Sequence, residues 1–335
     1  MRITIKDIAR ELNLHHSTVS RALRNDLSVK NETREKVSEY AKIHGYQINM
    51  SALQLRGSKR NMIAVLVPNI NHNFFSNIVS TITNLAYEKG YVVSVFQSNE
   101  KYLQEKEIIN TLIQNNFAGV IASVSMETVD SEHLKQLKNY KIPLVLFDRI
   151  CPDINVPKVT VNNFEIVEEA VRILIKKGYK RIAHITGTDR LNVFRDRQSG
   201  YLSAILKNNL DYIKSIIIDS DFTIEEGKKA TEKLFNEKIT PDALICDSHF
   251  LTLGAIFKIR DLGLSIPNDV GLVGFSDNPY IEVTSSEVIS IVQPDEAIAR
   301  AAFELIMRKI EHVDSDITES LTFSATIIEN KLKHE

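Results

Sequence analysis

An all-α head joined by a short hinge helix to an α/β core of two doubly wound parallel-sheet lobes is the architecture this sequence predicts. Three observations carry it. The first 46 residues contain three short apolar-periodic segments separated by tight turns. From Met62 onward, apolar strands alternate with amphipathic helices of 10–15 residues, in two successive series. Charge divides at the same place: residues 1–60 hold 12 Lys and Arg against 6 Asp and Glu, a net of +6. The remainder carries 29 against 37, a net of −8.

In chain order, Thr4 followed by Asp7 is read as the N-cap of a first helix, in the manner of a capping box. Ile5, Ile8, Ala9 and Leu12 form one helical face. After Asn13-Leu14-His15 comes a second helix, with an apolar edge of Val19, Ala22 and Leu23. Its polar edge carries His16, Ser17, Ser20, Arg21 and Arg24. Asn31 is expected to cap a third helix, Thr33 to His44, which Gly45 should stop. Two short helices joined by a tight turn, with a third behind them, outline a helix-turn-helix reader of DNA. The basic head then suits a polyanion.

The core series predicts strands at Met62–Val67, Tyr91–Phe96, Ala118–Ala122 and Pro143–Phe147, then at Arg181–Thr186, Ser215–Ile218, Ala243–Cys246 and Val270–Phe275. Intervening helices are expected near Phe74–Lys89, Tyr102–Gln114, Ser131–Tyr140, Phe164–Gly178, Arg195–Asn208, Ile224–Asn236 and Phe250–Leu262. In such lobes ligands bind beyond the carboxyl ends of the strands, and facing ends make a cleft.

At 335 residues, 43% hydrophobic and 25% charged, the chain has the composition of an ordinary globular protein of two or three domains. It contains no run of about 18 apolar residues, so no membrane span is expected. Its N-terminus lacks an apolar signal core. Cys151 and Cys246 stand far apart in no metal-type or redox-type pair, which points to a reduced, cytoplasmic protein with no metal and no cofactor. No nucleophile elbow, phosphate loop, zinc-protease motif or dinucleotide fingerprint is present, so an enzyme is not expected.

Ile5-Lys6-Asp7-Ile8-Ala9, Thr18-Val19-Ser20-Arg21-Ala22-Leu23, Thr33-Arg34-Glu35-Lys36-Val37 and Gly45-Tyr46 resemble, in order and spacing, the headpiece of the LacI/GalR family of bacterial transcription regulators. Asn49-Met50-Ser51-Ala52-Leu53-Gln54-Leu55-Arg56 resembles its hinge helix. The likeness runs the length of the chain. It departs from the family pattern at His15 and Lys30, where Ser is usual, at Ile48 (usually Pro) and at Leu53 (usually Arg). The resemblance implies a DNA-binding headpiece at 1–46, a hinge helix and linker at 47–61, and an effector-binding and dimerisation core at 62–335 of the type I periplasmic-binding-protein-like kind. The chain should cross between lobes three times, with lobe 1 at about 62–161 and 293–320 and lobe 2 at about 162–292 and 321–330. The helix near Asp295–Glu311 should return to the first lobe.

Site residues follow from the same likeness. His16 and Ser17 fall where the family reads bases, Arg21 where an Arg meets base or phosphate, and Arg24 and Asn25 at the helix end near the backbone. An Arg bidentate to guanine contributes roughly 1–3 kcal/mol of discrimination. Leu55, beside Arg56, Lys59 and Arg60 on a helix too short to stand alone in water, suits a wedge between minor-groove base steps. In the cleft the resemblance points to Phe74 and Phe75, the pair Asp148-Arg149, Arg197 before Gly200-Tyr201, Phe222 and Gln293. Ser248-His249 replaces a usual Asn-Asp, and Ser276, with Asp277 next, replaces a usual Asp. Aromatic faces with Asp, Arg and Gln suit a sugar.

The expectation is a homodimeric regulator, a repressor of carbohydrate-utilisation genes, that binds a pseudo-palindromic double-stranded operator under control of a small sugar-like effector. A dimer rather than a tetramer is expected, because little chain follows Ile328 to form an added heptad helix. Competing readings are a DNA-binding activator, a regulator without a functional effector site, and a sugar carrier or enzyme on the same core.

Overall fold

The structure, a computed structural model, describes residues 3–23, 25–46, 61–218, 222–275, 288–312 and 317–329. Two compact units separate at the boundary between Arg60 and Asn61.

The described residues of the first unit form three helices: α1 (Ile5–Glu11), α2 (His16–Ala22) and α3 (Asn31–Ile43). Thr4 and Asp7 close the expected capping box: the Thr4 N–H donates to Asp7 Oδ2 (3.0 Å), and the Asp7 N–H donates to Thr4 Oγ1 (3.3 Å). The Thr4 hydroxyl, donating to Asp7 Oδ2 at 2.6 Å, together with the Thr4 N–H and Arg10 nearby, holds the Asp7 carboxyl below its usual value. His15 caps α2 in place of a serine, its Nδ1 accepting the Ser17 N–H at 3.4 Å. The third cap differs from expectation. Asn31 is already helical and Lys30 sits at the cap without a side-chain bond, because the Asn31 amide is engaged by Glu35 and Arg34 one turn on. Gly45, at φ +62°, stands just past the end of α3, where the sequence placed the stop. Ile8, Val19 and Val37, each fully buried, join the three helices into one small core.

The second unit holds two six-stranded sheets. Its elements run β1 (Met62–Val67), α4 (Asn73–Glu88), β2 (Val92–Gln97), α5 (Tyr102–Gln114), β3 (Gly119–Ala122), α6 (Glu132–Asn139), β4 (Leu144–Phe147) and β5 (Lys158–Val161). Then come α7 (Asn163–Lys176), β6 (Ile182–Gly187), α8 (Asn192–Lys207), β7 (Ile216–Ile218), α9 (Ile224–Phe235), β8 (Ala243–Cys246), α10 (His249–Asp261), β9 (Gly271–Phe275) and β10 (Ile289–Val292). The last are α11 (Asp295–Glu311), β11 (Ser320–Phe323) and β12 (Thr326–Ile328). Sheet order is β11-β5-β4-β3-β1-β2 in one lobe and β12-β10-β9-β8-β6-β7 in the other. Every pairing is parallel except β10 with β12.

The central strands read as unbroken apolar runs because both sheet faces are covered. Ile63, Val65 and Val67 of β1 enter one buried cluster, while Ala64 and Leu66 enter the other. In β8, Ala243 and Ile245 divide from Leu244 and Cys246 in the same way. The chain passes between lobes after β5, after β10 and after β11, and α11 returns to pack on the first sheet. The last passage follows Phe323, a few residues beyond the expected position near 320, because β11 pairs with β5 through Phe323. The strands β5, β10, β11 and β12, absent from the sequence reading, are short pieces of three or four residues.

Candidate DNA-reading surface and ligand cleft

In the head, Val19 and Ala22 anchor α2 from below and turn His16 and Arg21 outward. Ser20, placed on the polar edge by the sequence, is buried with them because it lies next to Val19 on the inner side of the helix. His16 and Arg21 are exposed, Ser17 is half-buried against the His15 ring, and Asn25 is exposed just past the helix at φ +58°. Arg34 Nη1 donates to the Asn25 carbonyl at 3.3 Å and so ties α3 to the end of the reading helix. The arrangement presents imidazole, hydroxyl and guanidinium on one face, the donors and acceptors that major-groove edges require. Arg24, Leu55 and Arg56 lie outside the described residues, as do the hinge segment and the cleft candidates Ser276 and Asp277.

The strands' carboxyl ends place the other candidates around a single cavity between the lobes of the core. Phe74 and Phe75 open α4, Asp148 and Arg149 follow β4, Arg197 lies on α8, Phe222 precedes α9, Ser248 caps α10, and Gln293 follows β10. All eight line the cavity. So do residues the sequence reading did not place there, chiefly Phe194, Asp247, Phe250 and Phe275. His72 and His249 complete its rim.

Phe194 entered because α8 starts at Asn192, three residues earlier than the apolar spacing suggests. Asn192 also spans the cleft. Its Nδ2 donates to the Asp148 carbonyl (3.0 Å), and its Oδ1 accepts the Ile150 N–H (2.9 Å).

Each charged group has a distinct setting. Arg149 Nη1 reaches both Glu100 oxygens, at 2.7 and 2.8 Å, in a pair that is almost wholly buried. That guanidinium is therefore held to the first lobe, leaving less of it to meet a ligand than its sequence position suggests. Arg197 is set by the second lobe. Its Nε donates to Asn163 Oδ1 (2.8 Å), its Nη1 donates to the Asp247 carbonyl (2.9 Å), and its guanidinium carbon lies 3.5 Å from the Phe275 ring centroid. Burial pushes the Asp247 carboxyl up. His184, Arg197 and Thr186 outweigh it and hold the group below its usual value. Asp148 goes the other way, raised by burial despite Arg149 and Arg197. Its backbone is left-handed, at φ +57°, a conformation that non-glycine residues adopt mainly in turns and functional sites.

The Asp148 carboxylate is buried beside Arg149, whose Nε lies 4.0 Å away. Gln293 Nε2 and His249 Nδ1, on residues that line the cavity, are buried without partners among the described residues. Buried polar atoms are nearly always satisfied, so these two suit contacts from a bound molecule. Around them stand aromatic faces: Phe194 packs on Phe222 at 5.3 Å, and His72 packs on Phe250 at 5.1 Å from across the cleft. The space is about 60 Å³, smaller than the roughly 300–1,000 Å³ common for ligand sites. No group of three or more His, Cys, Asp or Glu side chains among the described residues is placed to hold a metal ion.

Fold and site together define a helical nucleic-acid-reading head carried with a two-lobed ligand-binding core. The comparisons agree. Residues 4–49 match the family described as bacterial regulatory proteins, lacI family, and residues 60–331 match periplasmic binding proteins and sugar binding domain of LacI family. The chain is 30% identical over 322 residues to catabolite control protein A of Priestia megaterium, covering 95% of this chain and 96% of that one. It is 29% identical over 314 residues to the HTH-type transcriptional repressor CytR of Escherichia coli K12, covering 93% and 92%. Among solved structures, the lac repressor dimer bound to operator and the anti-inducer ONPF superposes with a TM-score of 0.85. That match covers 99% of each chain at 20% identity, a likeness of fold. The chain belongs to the LacI family of bacterial regulatory proteins, and it is a DNA-binding transcription regulator rather than an enzyme.

Proposed function

We propose that this regulator is a cytoplasmic repressor of carbohydrate-utilisation genes, associated with the nucleoid when bound to DNA, whose operator affinity responds to a sugar-like effector in the cleft. The observation that carries the reading is the aromatic cavity between the lobes, lined by the buried Asp148 carboxylate and by Gln293 and His249 with their unpartnered nitrogens. Hydroxyls suit the polar groups, and the CH face of a sugar ring suits the Phe rings. Phe74, Phe75, Arg197, Phe222 and Ser248 complete the contact set, with Ser276 and Asp277 assigned from sequence. Arg149 contributes by fixing the first-lobe wall. A cavity smaller than most ligand sites suits one whose loading is coupled to lobe movement.

His16, Ser17, Arg21, Arg24 and Asn25 then meet the operator, with Leu55 and Arg56 in the minor groove. A homodimer matches a pseudo-palindromic site by sharing its two-fold axis. Apolar side chains exposed at the outer strand β2 (Val92 and Val95) and at the end of α4 (Tyr87) supply surface for it. The lac repressor is named as a dimer bound to operator.

The test is operator selection from a random duplex library, followed by anisotropy titrations against mono-, di- and oligosaccharides, uronic acids and sugar phosphates. One class should shift operator affinity by roughly 5–150-fold. Operator binding indifferent to every compound would overturn the effector-controlled reading.

A further inference from the structure

Both guanidiniums that line the cleft, those of Arg149 and Arg197, stand against carboxylates. Arg149 Nη1 meets the two Glu100 oxygens at 2.8 and 2.7 Å, and its Nε lies 4.0 Å from Asp148 Oδ2. Glu100 is 5% exposed, has a left-handed backbone at φ +60°, and accepts the Met126 N–H on Oε2 at 2.8 Å. One buried carboxylate therefore joins the segments that follow β2, β3 and β4, the last of which carries Asp148. On the other wall, Arg197 donates to the Asp247 carbonyl, and its charge acts on the carboxyls of both Asp247 and Asp148. Glu100 acts on Asp148 with the opposite sign, adding to the burial that already raises that group.

These charges leave no positive excess. With histidines neutral, as at pH 7, the carboxylates of Glu100, Asp148 and Asp247 set three negative charges against the two of Arg149 and Arg197. Protonating Asp148, the carboxyl raised by burial, still leaves two against two. No Lys lines the cavity among the described residues. The segments 219–221 and 276–287, next in sequence to the lining residues Phe222 and Phe275, contain Asp219, Asp221, Asp277, Glu282 and Glu287 and no Lys, Arg or His. An anion brought into this site would leave water and meet carboxylates, with no cation free of its own carboxylate to offset the cost. A hydroxyl meets no such penalty, since it can donate to a carboxylate or accept from a guanidinium that keeps its ion pair.

We infer that Glu100 sets the charge selectivity of the cleft: by neutralising Arg149 it makes the site take an uncharged sugar and refuse the carboxylate and phosphate counterparts of that sugar. This deepens the proposed function and rests on the cleft being the effector site. Glu100 is a positioning residue, for it acts through Arg149, which lines the cavity.

The experiment is isothermal titration of the full chain with matched probes. One set is D-glucose, D-glucuronate and D-glucose 6-phosphate; a second is the same three forms of D-galactose; a third is D-ribose with D-ribose 5-phosphate. A neutral member should bind about tenfold or more tightly than its charged counterparts. In Glu100→Gln, which leaves the Arg149 charge without its partner, that ratio should shrink by about tenfold or invert. Adding Arg149→Gln removes the freed charge and should restore the wild-type ratio. Loss of packing alone would lower both affinities together, so the ratio separates charge selection from a structural role. The wild-type ratio remains a test even where Glu100→Gln does not fold. A charged sugar bound by the wild type as tightly as its neutral parent, or a ratio that Glu100→Gln leaves in place, would overturn the inference and leave the cleft as effector site. Silence from every probe would overturn the inference and count against the cleft reading too.

Discussion

Asp148, which lines the cleft, shows what a buried carboxylate costs the protein. Its carboxyl is raised by burial, so its charge opposes folding. The stability it offers is complete below the unfolded pKa near 3.8 and is lost as pH rises through the folded value. Asp148→Asn should therefore raise the melting temperature of the ligand-free protein at neutral pH by a few degrees while abolishing the effector response. A lower melting temperature would show that the carboxylate already serves the apo fold. Asp247 has the opposite sign. Its depressed carboxyl contributes stability above pH 3.8, and that stability disappears as pH falls through the folded value. His184→Leu strips the partner from a fully buried charge and should cost about 3–5 kcal/mol in urea unfolding at pH 7. A change under 1 kcal/mol would mean that Thr186 and Arg197 suffice.

At the scale of elements, the packing of α7 on α8 decides where Arg197 points. Gly200 lies one turn beyond Arg197, and a Cβ there would come within 2.2 Å of the Phe164 carbonyl oxygen. The next residue, Tyr201, donates its hydroxyl to the Ile182 and Ile213 carbonyls and pins α8 to its lobe. The Arg-x-x-Gly-Tyr spacing is thus a device for seating a helix, and the guanidinium follows. Gly200→Ala should destabilise the core by about 1–3 kcal/mol or more, since the obstacle is backbone, and should weaken effector binding in step. Unfolding titrations monitored by circular dichroism measure the first effect; an unaltered midpoint would show that α7 yields freely. The capping box at Thr4 and Asp7 is a smaller matter of the same kind: Thr4→Ala should cost the head about 0.5–2 kcal/mol, seen as faster amide exchange in α1.

For the whole molecule, reading and deciding are separate tasks on separate units. Ser17→Ala and Arg21→Ala should alter which operators are selected, while effector affinity measured by titration stays the same. Equal losses on every sequence would assign those side chains to phosphate contact. Arg197→Ala should do the reverse, leaving operator affinity intact and removing the response to effector, because its partners Asn163, Asp247 and Phe275 all belong to the second lobe.

Much of this was legible in the sequence by itself. Strand and helix in alternation announced both sheets, because strands covered on both faces must be apolar throughout, as Met62–Val67 and Ala243–Cys246 are. The head was legible from a capping box and a 3.6-residue period, both local signals. Phe74, Asp148, Arg197 and Gln293 were found by their place after strands or in a spaced motif. Tertiary structure alone decided the rest. β11 and β12 are three- and four-residue strands that exist only because β5 and β10 offer them edges. Phe194 reaches the cleft because packing starts α8 at Asn192, and the Arg149 guanidinium is fixed at the cleft because Glu100, 49 residues away in sequence, meets its Nη1. Which buried polar atoms stay unsatisfied depends on every neighbour in three dimensions. For that reason the empty valences of Gln293 and His249 could be read only from the folded chain.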